Sequence, residues 1–190
     1  MNLPNLLTLI RMALVPVFIV FFYLGQGGAA LYNILALVVF VAASATDAID
    51  GQIARKRNMI TTFGKLMDPL ADKVLTTAAF IVFVDIGIMA AWMVIVILAR
   101  EFAITGLRGV AASEGVVIAA DFSGKLKTVF QMTAICVILL ANALVYIPGA
   151  SYVSVVVSGI GVVLIWIAVL LTIYSGIEYL WKGRKLLKLK

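Results

Sequence analysis

An all-α polytopic membrane protein, a bundle of about six transmembrane helices with both termini cytoplasmic, is the architecture that three observations predict. Of the 190 residues, 64% are hydrophobic and the mean hydropathy is +1.17, more apolar surface than a soluble domain of this length can bury. Apolar stretches of roughly 20 residues, the length that crosses a hydrocarbon core about 30 Å thick, recur as far as Trp181. Lys and Arg gather in alternate connections between those stretches. A secretory leader would be one apolar stretch ahead of a polar chain, so none is expected, and residues 1–190 read as a single membrane domain.

The first span is expected from Leu6 to Leu24, after an Asn2-Leu3-Pro4-Asn5 opening that supplies a cap and an early proline; a short surface helix could lead into it. Gly25-Gln26-Gly27-Gly28 then turns the chain into a second span, Leu31 to Ala54. The third covers Phe63 to Val84, the fourth Met89 to Val110, the fifth Lys125 to Val145 and the sixth Tyr152 to Trp181. Gly, Pro and Ser mark the breaks at Asp85 to Gly87, Ser113 to Gly124 and Ile147 to Ser151. Arg55, Lys56, Arg57 and Lys65 lie between spans two and three, Arg100, Arg108, Lys125 and Lys127 around the connection from four to five, and Lys182 to Lys190 after six. The other connections, Gly25 to Ala30, Asp85 to Ala90 and Tyr146 to Ser151, hold no Lys or Arg, which places the basic side in the cytoplasm. That segregation also accounts for the net charge of +6 through orientation and anionic lipid, not nucleic acid.

Several chemistries are excluded by composition. There is no histidine, hence no Ser-His-Asp or Cys-His nucleophile, no imidazole base and no histidine-ligated zinc. The single Cys136 lies in an apolar run and can form neither an intramolecular disulfide nor a cysteine zinc site. Carboxylates, lysines, arginines and metals remain.

Ionisable groups inside membrane spans cost at least a few kcal/mol each and face the bundle interior or a wet cavity. Asp47 and Asp50 stand three residues apart at the end of span two, and Asp68 and Asp72 four apart in span three. Each pair therefore shares one helix face, and two facing helices would bring all four together. Such a cluster cannot stay ionised without a cation. Its oxygen-only character favours magnesium or manganese, and two ions about 3.5 to 4 Å apart would suit phosphoryl transfer. Structural ion pairs with Arg55, Lys65 and Lys73 are the alternative, against which the helical register of both pairs speaks. Gly51 and Gly64 would permit close backbone approach.

Written out, Asp47-Ala48-Ile49-Asp50-Gly51-Gln52-Ile53-Ala54-Arg55 is followed by Gly64, Asp68 and Asp72. This resembles the signature of the CDP-alcohol phosphatidyltransferases at all of its defining positions. The resemblance covers essentially the whole chain and implies about six transmembrane helices with the acidic site near the cytoplasmic surface. It further implies that Asp47, Asp50 and Asp68 ligate two divalent metal ions, with Asp72 completing the cluster and acting as general base. Gly51, Ala54 and Arg55 would contact the CDP moiety beside Asp47. A homodimer in the membrane, in a bacterium the cytoplasmic membrane, is implied as well.

The opening Asn5-Leu6-Leu7-Thr8-Leu9-Ile10-Arg11 looks like that of the glycerophosphate-type members. Asn5 and Thr8 could reach the nucleotide, while Arg11 could snorkel to lipid headgroups or simply hold the end of the first span. Arg100-Glu101, Thr105, Arg108, Gly124-Lys125-Leu126-Lys127-Thr128 and Gln131 fit the same subgroup. A phosphate-bearing acceptor needs cationic ligands, and Lys73, Arg100, Arg108, Lys125 and Lys127 are the candidates, with Lys125 and Lys127 the more exposed. The expected reaction is transfer of the phosphatidyl group from CDP-diacylglycerol to glycerol 3-phosphate by direct in-line attack, releasing phosphatidylglycerophosphate and CMP. Other acceptors, namely phosphatidylglycerol, inositol phosphate or serine, would leave the chemistry unchanged. A transporter would spread carboxylates through the membrane depth, and a scaffold would use them only as ion pairs. Gly159 and Gly161, with Ser154 and Ser158, offer small residues for close helix contact in span six.

Overall fold

The structure, a computed structural model, describes residues 3–57, 62–113 and 122–183, with side chains for 6–46, 70–71, 73–113 and 122–181. The described residues form six α-helices: α1 (Leu3–Gln26), α2 (Ala30–Arg57), α3 (Thr62–Asp85), α4 (Ala91–Ser113), α5 (Phe122–Val145) and α6 (Ser151–Gly183). Each expected span is a helix within a few residues of its expected bounds. Among the described residues no separate surface helix precedes the first span, because α1 runs unbroken from Leu3. Glycines with positive φ, Gly28, Gly87 and Gly149, make the α1–α2, α3–α4 and α5–α6 turns, a conformation that a Cβ disfavours.

By length and composition α1, α5 and α6 could each cross a membrane, and the described apolar stretch of α2, Ala30–Thr46, is shorter. In α4 the difference from six uniform spans has a chemical cause: Arg100, Glu101 and Arg108 fall inside its apolar run.

Two hairpins dominate the packing, α1 on α2 and α5 on α6. They meet along α2 and α5, α3 lies on α1, and α4 lies on α6. Phe18 contacts Phe22 and Phe40 at ring-centroid distances of 6.2 and 5.8 Å, and Phe22 reaches Phe83 at 6.4 Å. This tilted aromatic cluster joins α1, α2 and α3 through dispersion and ring-quadrupole contacts. Near the glycine turns, Asn142 donates to the Asn33 side-chain oxygen at 2.8 Å and Asn33 donates to the Gly25 carbonyl at 3.0 Å. Unpaired amides there would be costly in an apolar medium. Large apolar side chains such as Leu31, Ile95 and Val155 are exposed, as lipid-facing positions require.

Of the two glycines expected to permit close contact in α6, Gly161 does so and Gly159 has open space beside it. A Cβ on Gly161 would meet the Ile138 side chain of α5. Gly161→Ala is therefore expected to destabilise the bundle by about 1–3 kcal/mol through overpacking. Gly159→Ala should change it by no more than about 1 kcal/mol, and with favourable sign. Thermal unfolding of both variants in detergent checks this; equal midpoints would show that α5 and α6 do not pack at Gly161. Ser154 is buried and donates to the Ala141 carbonyl at 3.0 Å, a second close tie between the same helices.

Candidate active site

At the end of the bundle away from the glycine turns, α4, α5 and α6 enclose a cavity of about 400 Å³. Arg100 and Arg108 lie eight residues apart on α4 and share a face, while Lys125 and Lys127 come from the first turns of α5. All four line the cavity together with Glu101, Thr105, Thr128, Ser175 and Tyr179. The fold thus joins four cations that the sequence places in two separate segments, and the only carboxylate facing them among the described lining residues is Glu101.

Glu101 bridges the set. Its Oε1 accepts from Arg100 Nη1 at 3.3 Å and pairs with Lys127 Nζ. Lys127 is only 4% exposed, which corrects the expectation that it is among the more exposed lysines; Lys125 is exposed. A buried lysine requires a counter-charge, and Glu101 provides it. Arg100 lies between Gly124 and Gly176, where a Cβ would come within 3.2 Å of its side chain. Its Nε is buried with no hydrogen-bond partner among the described residues. Such a donor fits an anionic ligand better than an apolar one.

Arg108 donates from Nε to the Tyr179 hydroxyl at 3.0 Å, and its guanidinium carbon lies 5.5 Å from the ring centroid. The neighbouring Glu178 accepts from Ser123 Oγ at 3.0 Å, fastening the end of α6 to the start of α5. Lys73 is not part of the cavity lining: its ammonium bonds the Thr105 hydroxyl and the Glu101 carbonyl and lies 5.6 Å from the Phe102 ring centroid. It ties α3 to α4, one residue after Asp72.

Thr8 and Arg11 are both fully buried in α1. Arg11 Nε donates to the Ala43 carbonyl of α2 at 3.3 Å, so it neither snorkels to headgroups nor faces the surface; the α1–α2 interface holds it inside. Asp47, Asp50, Gly51, Ala54 and Arg55 belong to α2, and Asp68 and Asp72 to α3. These two helices pack against each other. The side chains of those seven residues, and that of Asn5, lie outside the described residues. Among the described residues no group of three or more Asp, Glu, His or Cys side chains is found.

Residues 1–174 match the sequence profile of the CDP-alcohol phosphatidyltransferases. The chain belongs to the CDP-alcohol phosphatidyltransferase family. Curated relatives run nearly its whole length. A Bacillus subtilis protein named CDP-diacylglycerol--glycerol-3-phosphate 3-phosphatidyltransferase is 42% identical, covering 98% of this chain and 97% of its own. Proteins of the same name from Rickettsia typhi, 39% identical over 94% of each chain, and from Pectobacterium atrosepticum, 38% identical over 96% and 95%, are similar in extent. In this CDP-alcohol phosphatidyltransferase the basic cavity stands at the same end of the bundle as the aspartate-bearing parts of α2 and α3. Sequence reasoning did not single out Tyr179 or Ser175. The available signal was the spacing of Ser175 and Tyr179, four apart and polar at the end of an apolar helix.

Proposed function

We propose that this chain transfers the phosphatidyl group of CDP-diacylglycerol to glycerol 3-phosphate, forming phosphatidylglycerophosphate and releasing CMP. The observation that carries the choice of acceptor is the cavity lined by Arg100, Arg108, Lys125 and Lys127, whose charge suits a phosphomonoester dianion. The names of the relatives support the same acceptor.

In this reading the acceptor phosphate binds among those four cations, with Glu101 keeping Arg100 and Lys127 in place. Lys73 acts from one side, through its bond to Thr105, which lines the cavity. The acceptor's primary hydroxyl then points toward the aspartates. Asp72 takes the hydroxyl proton as that oxygen bonds to the lipid-side phosphorus in line, and the bond from phosphorus to the CMP oxygen breaks. Asn5, Thr8, Asp47, Gly51, Ala54 and Arg55 hold the CDP moiety.

The family is in general divalent-metal dependent. The donor set fits such ions: four carboxylates on two packed helices, with no histidine or thiol in either segment. Asp47, Asp50, Asp68 and Asp72 would hold two magnesium or manganese ions, which when bound supply positive charge to the pyrophosphate and to the departing CMP. With no histidine in the chain to activate a serine, threonine or cysteine, the reading adopted is direct transfer.

The charge distribution supports a reading with both termini and the site on the cytoplasmic side of a bacterial membrane, in which the chain acts as a single domain and as a homodimer. Purified protein given CDP-diacylglycerol, glycerol 3-phosphate and magnesium or manganese is expected to release CMP and form phosphatidylglycerophosphate in equal amounts. CMP release only with phosphatidylglycerol, inositol phosphate or serine would reassign the acceptor. No release with any alcohol would end the proposal.

A further inference from the structure

α6 is apolar and lipid-facing for most of its length, yet its last turns build a wall of the basic cavity with Ser175 and Tyr179. Tyr179 is only 4% exposed, and it meets Arg108 in two ways. Its hydroxyl accepts from Arg108 Nε at 3.0 Å while its ring lies under the guanidinium at 5.5 Å. The two contacts act on different parts of the same ion. The ring attracts the cation through its quadrupole, and the hydroxyl fixes the in-plane orientation. Among the described residues Arg108 makes no other hydrogen bond, so its terminal amino groups remain for a ligand. The Ser123–Glu178 bond at 3.0 Å holds the turn that bears Tyr179 against α5.

An arginine recognises phosphate as a planar fork, and the geometry of that fork decides how much of the possible bidentate binding is realised. An unrestrained arginine must lose side-chain entropy on binding; one already held at Nε and over a ring loses less. From this we infer that Tyr179 is a positioning residue, presenting Arg108 as a preset fork to the acceptor phosphate, so that α6 helps to set the preference for a phosphorylated acceptor. The inference rests on the assignment of the basic cavity to the acceptor.

The test measures KM for glycerol 3-phosphate and for CDP-diacylglycerol, with kcat, in four variants. Tyr179→Phe removes the hydroxyl and keeps the ring; Tyr179→Leu removes both. Expected rises in KM for glycerol 3-phosphate are about fivefold and about 20-fold respectively, with KM for CDP-diacylglycerol and kcat within about twofold of the parent. Arg108→Lys, which loses the fork and the Nε donor, should raise the same KM by at least about 20-fold, and adding Tyr179→Phe to it should have no further effect, because contacting residues do not contribute additively. An unchanged acceptor KM in Arg108→Lys would refute the acceptor-site assignment itself. If Arg108→Lys raises KM but Tyr179→Phe alone does not, or raises it by the same factor in both backgrounds, the positioning role is overturned while the acceptor site stands. Should Tyr179→Leu not fold, Tyr179→Phe and the double variant still decide the matter.

Discussion

Asp72→Asn is expected to lower kcat by about 10²–10⁴-fold, the range that a positioned general base contributes, while CDP-diacylglycerol still binds. The amide has nearly the shape of the carboxylate and keeps one oxygen for a cation, but it cannot take the proton from the attacking hydroxyl. There is a physical tension in this assignment. A carboxylate beside divalent cations is held in its ionised form and is a weak base, so its role requires that the hydroxyl also be made more acidic by the same cations. Single-turnover CMP release, compared with equilibrium binding of labelled CDP-diacylglycerol, separates the two effects. A variant that binds normally and turns over within tenfold of the parent would move the base to another residue. Loss of binding together with turnover would make Asp72 a ligand first.

Removing divalent ions is expected to have an equally large effect. Chelation should bring CMP release to background, with recovery on adding magnesium or manganese. Asp47, Asp50, Asp68 and Asp72 stand on two packed helices, and as a group they resist full ionisation without a counter-charge. The same argument predicts a result that does not depend on turnover. An ion bound only by the folded state stabilises it by about 2.7 kcal/mol at one hundred times its Kd, so the thermal midpoint should rise with added magnesium or manganese. Asp47→Asn should abolish most of that rise. Turnover unaffected by chelation, or a midpoint that responds equally in the variant, would return the aspartates to structural ion pairing.

Much of this could be read before any helix was packed. Turn glycines and apolar runs placed all six helices to within a few residues, since both signals are local. The cations of the cavity were also legible, because a positive residue after an apolar run is conspicuous. Their surroundings were not. Arg11 reads as a surface anchor from its position, yet its partner, Ala43, is 32 residues away on another helix. Lys127 reads as exposed, and only the approach of Glu101 from α4 makes its burial tolerable. Lys73 reads simply as a cation one residue after Asp72, and only the packing of α4 gives it the Glu101 carbonyl and the Thr105 hydroxyl, 28 and 32 residues on.

By itself, then, the chain's order of residues determined the helices, their turns, the family and the aspartate register, because each depends on spacing along one or two neighbouring segments. Tertiary structure alone decided which cations share a cavity, that Glu101 pairs with Lys127 as well as with its neighbour Arg100, and that Tyr179, 71 residues from Arg108, orients it. The physical reason is that a side chain's charge is a local property, whereas its burial, its counter-ion and its orientation belong to whichever helix packs against it.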